Sequence, residues 1–136
     1  MLLPCVLIID DTPMVISALS RILLPFYKVK VARGGEEGMK VAERHHIDLV
    51  LLDINMPGLT GFDVFGKLRG SKKTRETPII FITGSDDTTD RDLAFSLGAV
   101  DYIKKPFAKD DVLHSVWLHI KSENKVSTNI REESIT

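Results

Sequence analysis

Four apolar runs in this 136-residue chain lead into residue types that can do chemistry. Asp10 and Asp11 follow Cys5-Val6-Leu7-Ile8-Ile9. Asp53 follows Leu49-Val50-Leu51-Leu52, with Pro57-Gly58 marking a turn behind it. Thr83 follows Ile79-Ile80-Phe81-Ile82, and Lys105 follows the less apolar run from Val100 to Lys104. A short continuous apolar run suits a strand covered on both faces, so each of these residues is expected where a buried strand surfaces into a loop. By position alone, Asp53 either starts a turn or sits at the carboxyl edge of a sheet, where open α/β folds bind ligands. If Asp10, Asp11 and Asp53 meet, their mutual repulsion must raise a pKa or recruit a cation. An oxygen-only set facing water suits Mg²⁺.

The elements that would position them alternate. Thr12-Pro13 reads as an N-cap with proline at the first helical position, and Val15, Leu19 and Ile22-Leu23 recur at helical spacing until Pro25. Tyr27 to Val31 alternates with period two, and its lysines suit an edge strand. A helix is expected from about Glu36 to Arg44, with Met39 and Val41-Ala42 buried. A short one from Gly61 to Arg69 carries Phe62, Phe65 and Leu68. The acidic stretch Ser85 to Asp90 opens a helix running to Leu97, with Gly98 as its C-cap. Asp110-Asp111 opens the last helix, with Leu113, Val116, Trp117 and Ile120 on one face. Five strand–helix repeats imply a single doubly wound α/β domain with a five-stranded parallel sheet and right-handed crossovers. The flavodoxin-like strand order 2-1-3-4-5 makes strands one and three neighbours, which brings Asp10, Asp11 and Asp53 together. Residues 1–122 are expected to form this domain and residues 123–136 a polar tail or linker.

Composition narrows the function classes. The 18 Lys+Arg against 19 Asp+Glu leave no basic excess to favour direct nucleic-acid binding. No apolar run approaches the roughly 20 residues of a membrane helix, and the start lacks a signal-peptide pattern, so a cytoplasmic location is expected. The single cysteine, Cys5, lies in an apolar run, which excludes an intrachain disulfide and points to a buried thiol. His45, His46, His114 and His119 show no metal spacing with carboxylates, and no role is assigned to them.

Asp10-Asp11, Asp53 within "LLDINMPGLTGFD", Thr83-Gly84, Gly98-Ala99 and the run Tyr102-Ile103-Lys104-Lys105-Pro106-Phe107 stand in an order that closely resembles the receiver domain of two-component response regulators, the CheY-like family. The resemblance covers roughly residues 4 to 122. It implies that Asp53 is phosphorylated by a sensor histidine kinase or a histidine phosphotransfer protein. An aspartate near its ordinary pKa of about 4 is ionised at neutral pH and attacks phosphorus without a general base. The resemblance also implies Mg²⁺ held by Asp53, by Asp11 directly, by Asp10 largely through water and by the backbone carbonyl of Asn55. Lys105 and the Thr83 hydroxyl would then serve the phosphoryl oxygens. The family pattern places the active lysine directly before proline and makes that bond cis, leaving Lys104 as a solvated charge.

In this family Thr83 and the aromatic position occupied by Tyr102 form a switch that alters the surface of the fourth helix, fifth strand and fifth helix. An ordinary half-buried strand tyrosine is the competing account of Tyr102. Asn55 and Ser85 flank the site at positions that influence dephosphorylation. The expected protein is a signalling phosphoacceptor rather than an enzyme, assisting its own phosphorylation and dephosphorylation. It is expected to belong to a larger multidomain regulator, acting on an output module or partner protein, with phosphorylation-dependent homodimerisation open. The alternatives are a stand-alone regulator and an interaction scaffold that is never phosphorylated. A phosphatase of the haloacid-dehalogenase class would need a second aspartate where Asn55 stands. A flavodoxin would need a Ser/Thr-rich loop in place of Asp10-Asp11-Thr12-Pro13.

Overall fold

The computed structural model describes residues 3–120; the expected tail at 123–136 lies outside them. In chain order the elements are β1 (Cys5–Ile9), α1 (Pro13–Leu23), β2 (Lys28–Ala32), α2 (Gly35–Arg44), β3 (Leu49–Leu52), α3 (Gly61–Gly70), β4 (Ile79–Thr83), α4 (Thr88–Leu97), β5 (Asp101–Lys104) and α5 (Lys109–His119). The strands form one sheet in the order β2-β1-β3-β4-β5, every neighbouring pair parallel. This is the flavodoxin-like arrangement expected from the alternation of elements.

Alternation along the strands explains why both faces are covered. Val6 and Ile8 of β1 point to a core shared with Leu19 and Leu23 of α1 and Val112 and Val116 of α5. Leu7 and Ile9 point the other way, to a core with Ala42 of α2, Phe65 and Leu68 of α3 and Ala94 of α4. β1, β3 and β4 are buried along their whole length, as expected of strands sandwiched between helices. Truncating a fully buried leucine such as Leu51 to alanine costs about 2–5 kcal/mol.

The register sets the heights of the functional residues. Ile9 pairs with Leu52, so Asp10 and Asp53 leave adjacent strands at one level. Thr83 pairs with Lys104, which places Lys105 beside the end of β4. Phe81 of β4 meets Phe62 and Phe65 of α3 with ring centroids 5.3 and 5.8 Å away. The Arg69 guanidinium lies 4.8 Å over the Phe65 ring and donates to the Thr77 carbonyl at 2.7 Å. These contacts tie α3 to the strand that carries Thr83. A reciprocal cap starts α3: Thr60 Oγ1 accepts from the Asp63 N–H, and the Asp63 carboxylate accepts from the Thr60 N–H. Such a cap is worth about 1 kcal/mol.

α4 begins at Thr88, within the expected Ser85 to Asp90 stretch, where Asp87 caps it by accepting from the Thr89 N–H at 2.8 Å. Ser85 stays in the loop and donates its hydroxyl to Asp90 at 2.9 Å. α5 is rotated by about one position from the sequence expectation: its buried residues are Val112, Ser115 and Val116, with Ile120 beyond them, while Leu113 and Trp117 are only half-buried. Ser115 faces inward because its hydroxyl donates to Asp101 on β5 at 2.5 Å. A polar anchor, invisible to hydrophobic spacing, sets the face. No described helix is long and apolar enough to cross a membrane.

Candidate functional site

Asp10, Asp11 and Asp53 converge at the carboxyl edge of the sheet, each offering a carboxylate oxygen so placed that all three lie within 4.8 Å of one another. Asp10 is fully buried and Asp53 nearly so, while Asp11 is half-exposed. Asp10 Oδ1 accepts from the Thr12 N–H at 2.9 Å, which fixes its rotamer at the start of α1. Thr12 itself makes no side-chain cap to that helix.

One cation serves this group. Lys105 Nζ stands 2.8 Å from Asp10 Oδ2 and 3.5 Å from Asp53 Oδ2. The Lys105–Pro106 bond is cis, and Lys105 donates its N–H to the Thr83 carbonyl at 2.8 Å. The sequence expectation of a cis bond therefore matches the structure. Lys104 points elsewhere, pairing with the exposed Asp86. Thr83 is fully buried, and its side chain favours the ionised form of the Asp53 carboxylate. The Asn55 backbone acts in the same direction on Asp53. Across the loop, Ser85 N–H approaches Thr83 Oγ1 at 3.4 Å, and the hydroxyl of the half-buried Tyr102 stands 3.4 Å from the Ser85 carbonyl.

Electrostatics correct one expectation. Asp53 does not keep the ordinary carboxyl pKa: burial pushes it up, the neighbouring Asp10 pushes it further, and Lys105, Thr83 and Asn55 offset only part of this. Such a carboxylate gains from any cation that settles beside it. The donor set is all oxygen, and three acidic groups face one ammonium. That composition fits a hard divalent ion such as Mg²⁺.

The structure thus brings together Asp10, Asp11, Asp53, Thr83 and Lys105, with Tyr102 one loop away. It also shows a feature the sequence did not reveal. Met14, Val15 and Ala18 of α1 and Pro106 and Phe107 after β5 line an apolar groove of about 400 Å³ that ends on Lys105. Met14 is 81% exposed. The only sequence signal was that Met14 falls off the buried stripe of α1.

The sequence profile of the response regulator receiver domain matches residues 6–117. Over 125 residues the chain is 38% identical to a probable cyclic di-GMP phosphodiesterase of Vibrio cholerae, covering 92% of this chain and 28% of that protein. Over 109 residues it is 37% identical to the transcriptional regulatory protein KdpE of Mycobacterium tuberculosis, covering 79% of this chain and 47% of that one. The chain therefore spans less than half the length of either curated relative. Among solved structures, chemotaxis protein CheY4 of Vibrio cholerae superposes with a TM-score of 0.82 at 26% identity, covering 87% of this chain and 99% of that one. The receiver domain of sensor histidine kinase PA1611 from Pseudomonas aeruginosa, with a magnesium ion coordinated in its active-site cleft, superposes at 0.79 and 25% identity, covering 86% and 97%. Fold, site geometry and sequence agree, and the chain belongs to the response regulator receiver domain family.

Proposed function

We propose that this receiver accepts a phosphoryl group on Asp53 from a phosphohistidine of a sensor kinase or phosphotransfer protein. The observation that carries this reading is the convergence of buried Asp53 and its two neighbouring carboxylates with one lysine and the buried Thr83. A carboxylate oxygen of Asp53 forms the new bond to phosphorus while the bond from phosphorus to the donor's imidazole nitrogen breaks. The leaving electron pair stays on that nitrogen, which takes a proton from solvent. Asp10, Asp11, Asp53 and the backbone carbonyl of Asn55 are the residues that would hold Mg²⁺, which neutralises charge on the phosphoryl oxygens when bound. Lys105 neutralises a further oxygen, and the Thr83 hydroxyl serves another. Catalysis of this kind is mostly positioning and charge stabilisation.

The signal leaves through the Thr83–Ser85 loop. Drawing Thr83 towards a phosphoryl group shifts the segment whose Ser85 carbonyl faces the Tyr102 hydroxyl, and so biases the surface of α4, β5 and α5. That surface exposes Leu93, Phe95, Leu97 and Leu118, apolar groups suited to a protein partner or output module. The phosphodonor docks on the Met14–Phe107 groove, because Lys105 is part of its lining. The chain acts as a signalling phosphoacceptor within a larger regulator, a reading supported by the extra length of its relatives. Intact-mass analysis after incubation with a small-molecule phosphodonor tests it: one hydroxylamine-labile phosphoryl adduct that requires Mg²⁺ is the expected result. No adduct from either that donor or a competent phosphohistidine protein makes the chain an unphosphorylated interaction module.

A further inference from the structure

The tightest backbone approach in the site comes from a residue with no side chain. Gly61 opens α3, is buried, and donates its N–H to the Ile54 carbonyl at 2.8 Å. A Cβ on Gly61 would lie 2.3 Å from the Asp53 carbonyl oxygen, 2.7 Å from Ile54 Cα and 2.9 Å from the Asp53 carbonyl carbon. All three contacts are backbone atoms of the segment that carries the nucleophile, so no rotamer change can relieve them. Gly35 and Gly38 are also crowded, but their Cβ positions meet side chains of Leu59, Val64 and Ile9.

Conformation does not explain the glycine. The left-handed backbone belongs to Gly58 and Gly98, with φ of 79° and 111°, and not to Gly61. At the first position of a helix alanine is otherwise well tolerated, and the Thr60–Asp63 cap would remain. Space is what excludes a side chain. An added methyl must push the Asp53 carbonyl away by about 0.7 Å before even the shortest separations of real side chains are reached. Asp53 cannot simply recede, because its N–H is tied to the Ile9 carbonyl at 2.9 Å, across the sheet. The segment must tilt about that bond, which turns the carboxylate relative to Lys105 and Asp10.

We propose that Gly61 is a positioning residue: the missing side chain lets the start of α3 press on the Asp53 backbone and so sets where the Asp53 carboxylate points. The inference rests on Asp53 being the phosphoacceptor and metal ligand. Misplacement of a reacting group by about 1 Å can cost on the order of 10²-fold in rate.

Gly61→Ala, Gly35→Ala and wild type, each as the full chain, would be compared by Mg²⁺ titration calorimetry, thermal unfolding and phosphorylation rate over a series of acetyl phosphate concentrations at saturating Mg²⁺. For Gly61→Ala the saturated rate is expected to fall about 10- to 100-fold with little change in the half-saturating donor concentration, and the Mg²⁺ dissociation constant is expected to rise. Gly35→Ala is expected to lose thermal stability while keeping the wild-type rate and Mg²⁺ affinity. A Gly61→Ala protein that is less stable but equal to wild type in rate and Mg²⁺ affinity overturns the inference. If wild type binds Mg²⁺ but takes no phosphoryl group, the phosphoacceptor reading fails, and the Mg²⁺ affinities alone decide: weaker in Gly61→Ala supports positioning, unchanged overturns it. Should Gly61→Ala not fold in buffer, all three proteins are measured in trimethylamine N-oxide, which favours compact states. Failure to fold there as well makes Gly61 a purely structural residue and overturns the inference.

Discussion

The ammonium of Lys105 lies closer to Asp10, at 2.8 Å, than to Asp53, at 3.5 Å, although 95 residues separate Lys105 from Asp10 in the chain. Asp10 is wholly buried, and this ammonium is the cation paired with it. On the proposed function, a lysine so engaged would have to loosen from Asp10 to serve a phosphoryl group on Asp53, and a divalent cation held by the acidic cluster would offset the charge it leaves.

Replacing Lys105 by methionine is therefore expected to lower the stability of the metal-free protein, by up to about 3 kcal/mol for a broken, mostly buried pair. Denaturant titrations with and without Mg²⁺ should show a larger Mg²⁺-induced gain in Lys105→Met than in wild type, because the acidic cluster has lost its internal cation. Phosphorylation at saturating Mg²⁺ should fall about 10²-fold.

Asp53 gives a pH signature. Its native pKa lies above the ordinary 3.8, so between those two values the folded state binds more protons than the unfolded state, and stability falls as pH rises through that window. Above it, the ionised Asp53 carries a constant penalty. Metal-free Asp53→Asn should thus gain stability relative to wild type as pH rises above about 4, levelling off once Asp53 is ionised in both states. Urea titrations from pH 4 to 8 on both proteins measure the difference, and adding Mg²⁺ at neutral pH should shrink it.

The α1 groove separates two kinds of phosphodonor. Met14→Lys places a charge on an exposed apolar residue beside Lys105. It should slow transfer from a cognate phosphohistidine protein about 10-fold or more, the scale of losing a central apolar anchor. Reaction with acetyl phosphate, which needs no such surface, should be unchanged.

Cys5 is buried, and its thiol pKa is raised by that burial and by nearby Asp48. A native thiol of this kind should resist a thiol-specific reagent at pH 8 and react promptly in denaturant. Equal rates in both conditions would contradict its placement.

The sheet order and the meeting of Asp10, Asp11 and Asp53 were legible because apolar runs ending in polar residues force a parallel sheet with one functional edge. Lys105 was legible through the family resemblance, which places the active lysine directly before proline. Other features arise only between distant segments. The inward face of α5 depends on the Ser115–Asp101 bond, so hydrophobic spacing placed Trp117 too deep. The exact start of α4 depends on which residue of the Ser85 to Asp90 stretch takes the cap, and it is Asp87. Asp53's raised pKa needs the depth of burial and the nearness of Asp10, neither of which is written in local sequence. Gly61 reads as a weak helix residue until its distance to the Asp53 carbonyl is known.

The most direct test of the account is to map the modified residue. The full chain is incubated with acetyl phosphate and Mg²⁺ and reduced with borohydride, which converts an aspartyl phosphate to homoserine. Peptide mass spectrometry then locates the change. Conversion at position 53 alone, absent without Mg²⁺, is the predicted result. Conversion at another aspartate, or at position 53 to the same extent in excess chelator, would contradict the assignment of Asp53 as a metal-assisted phosphoacceptor.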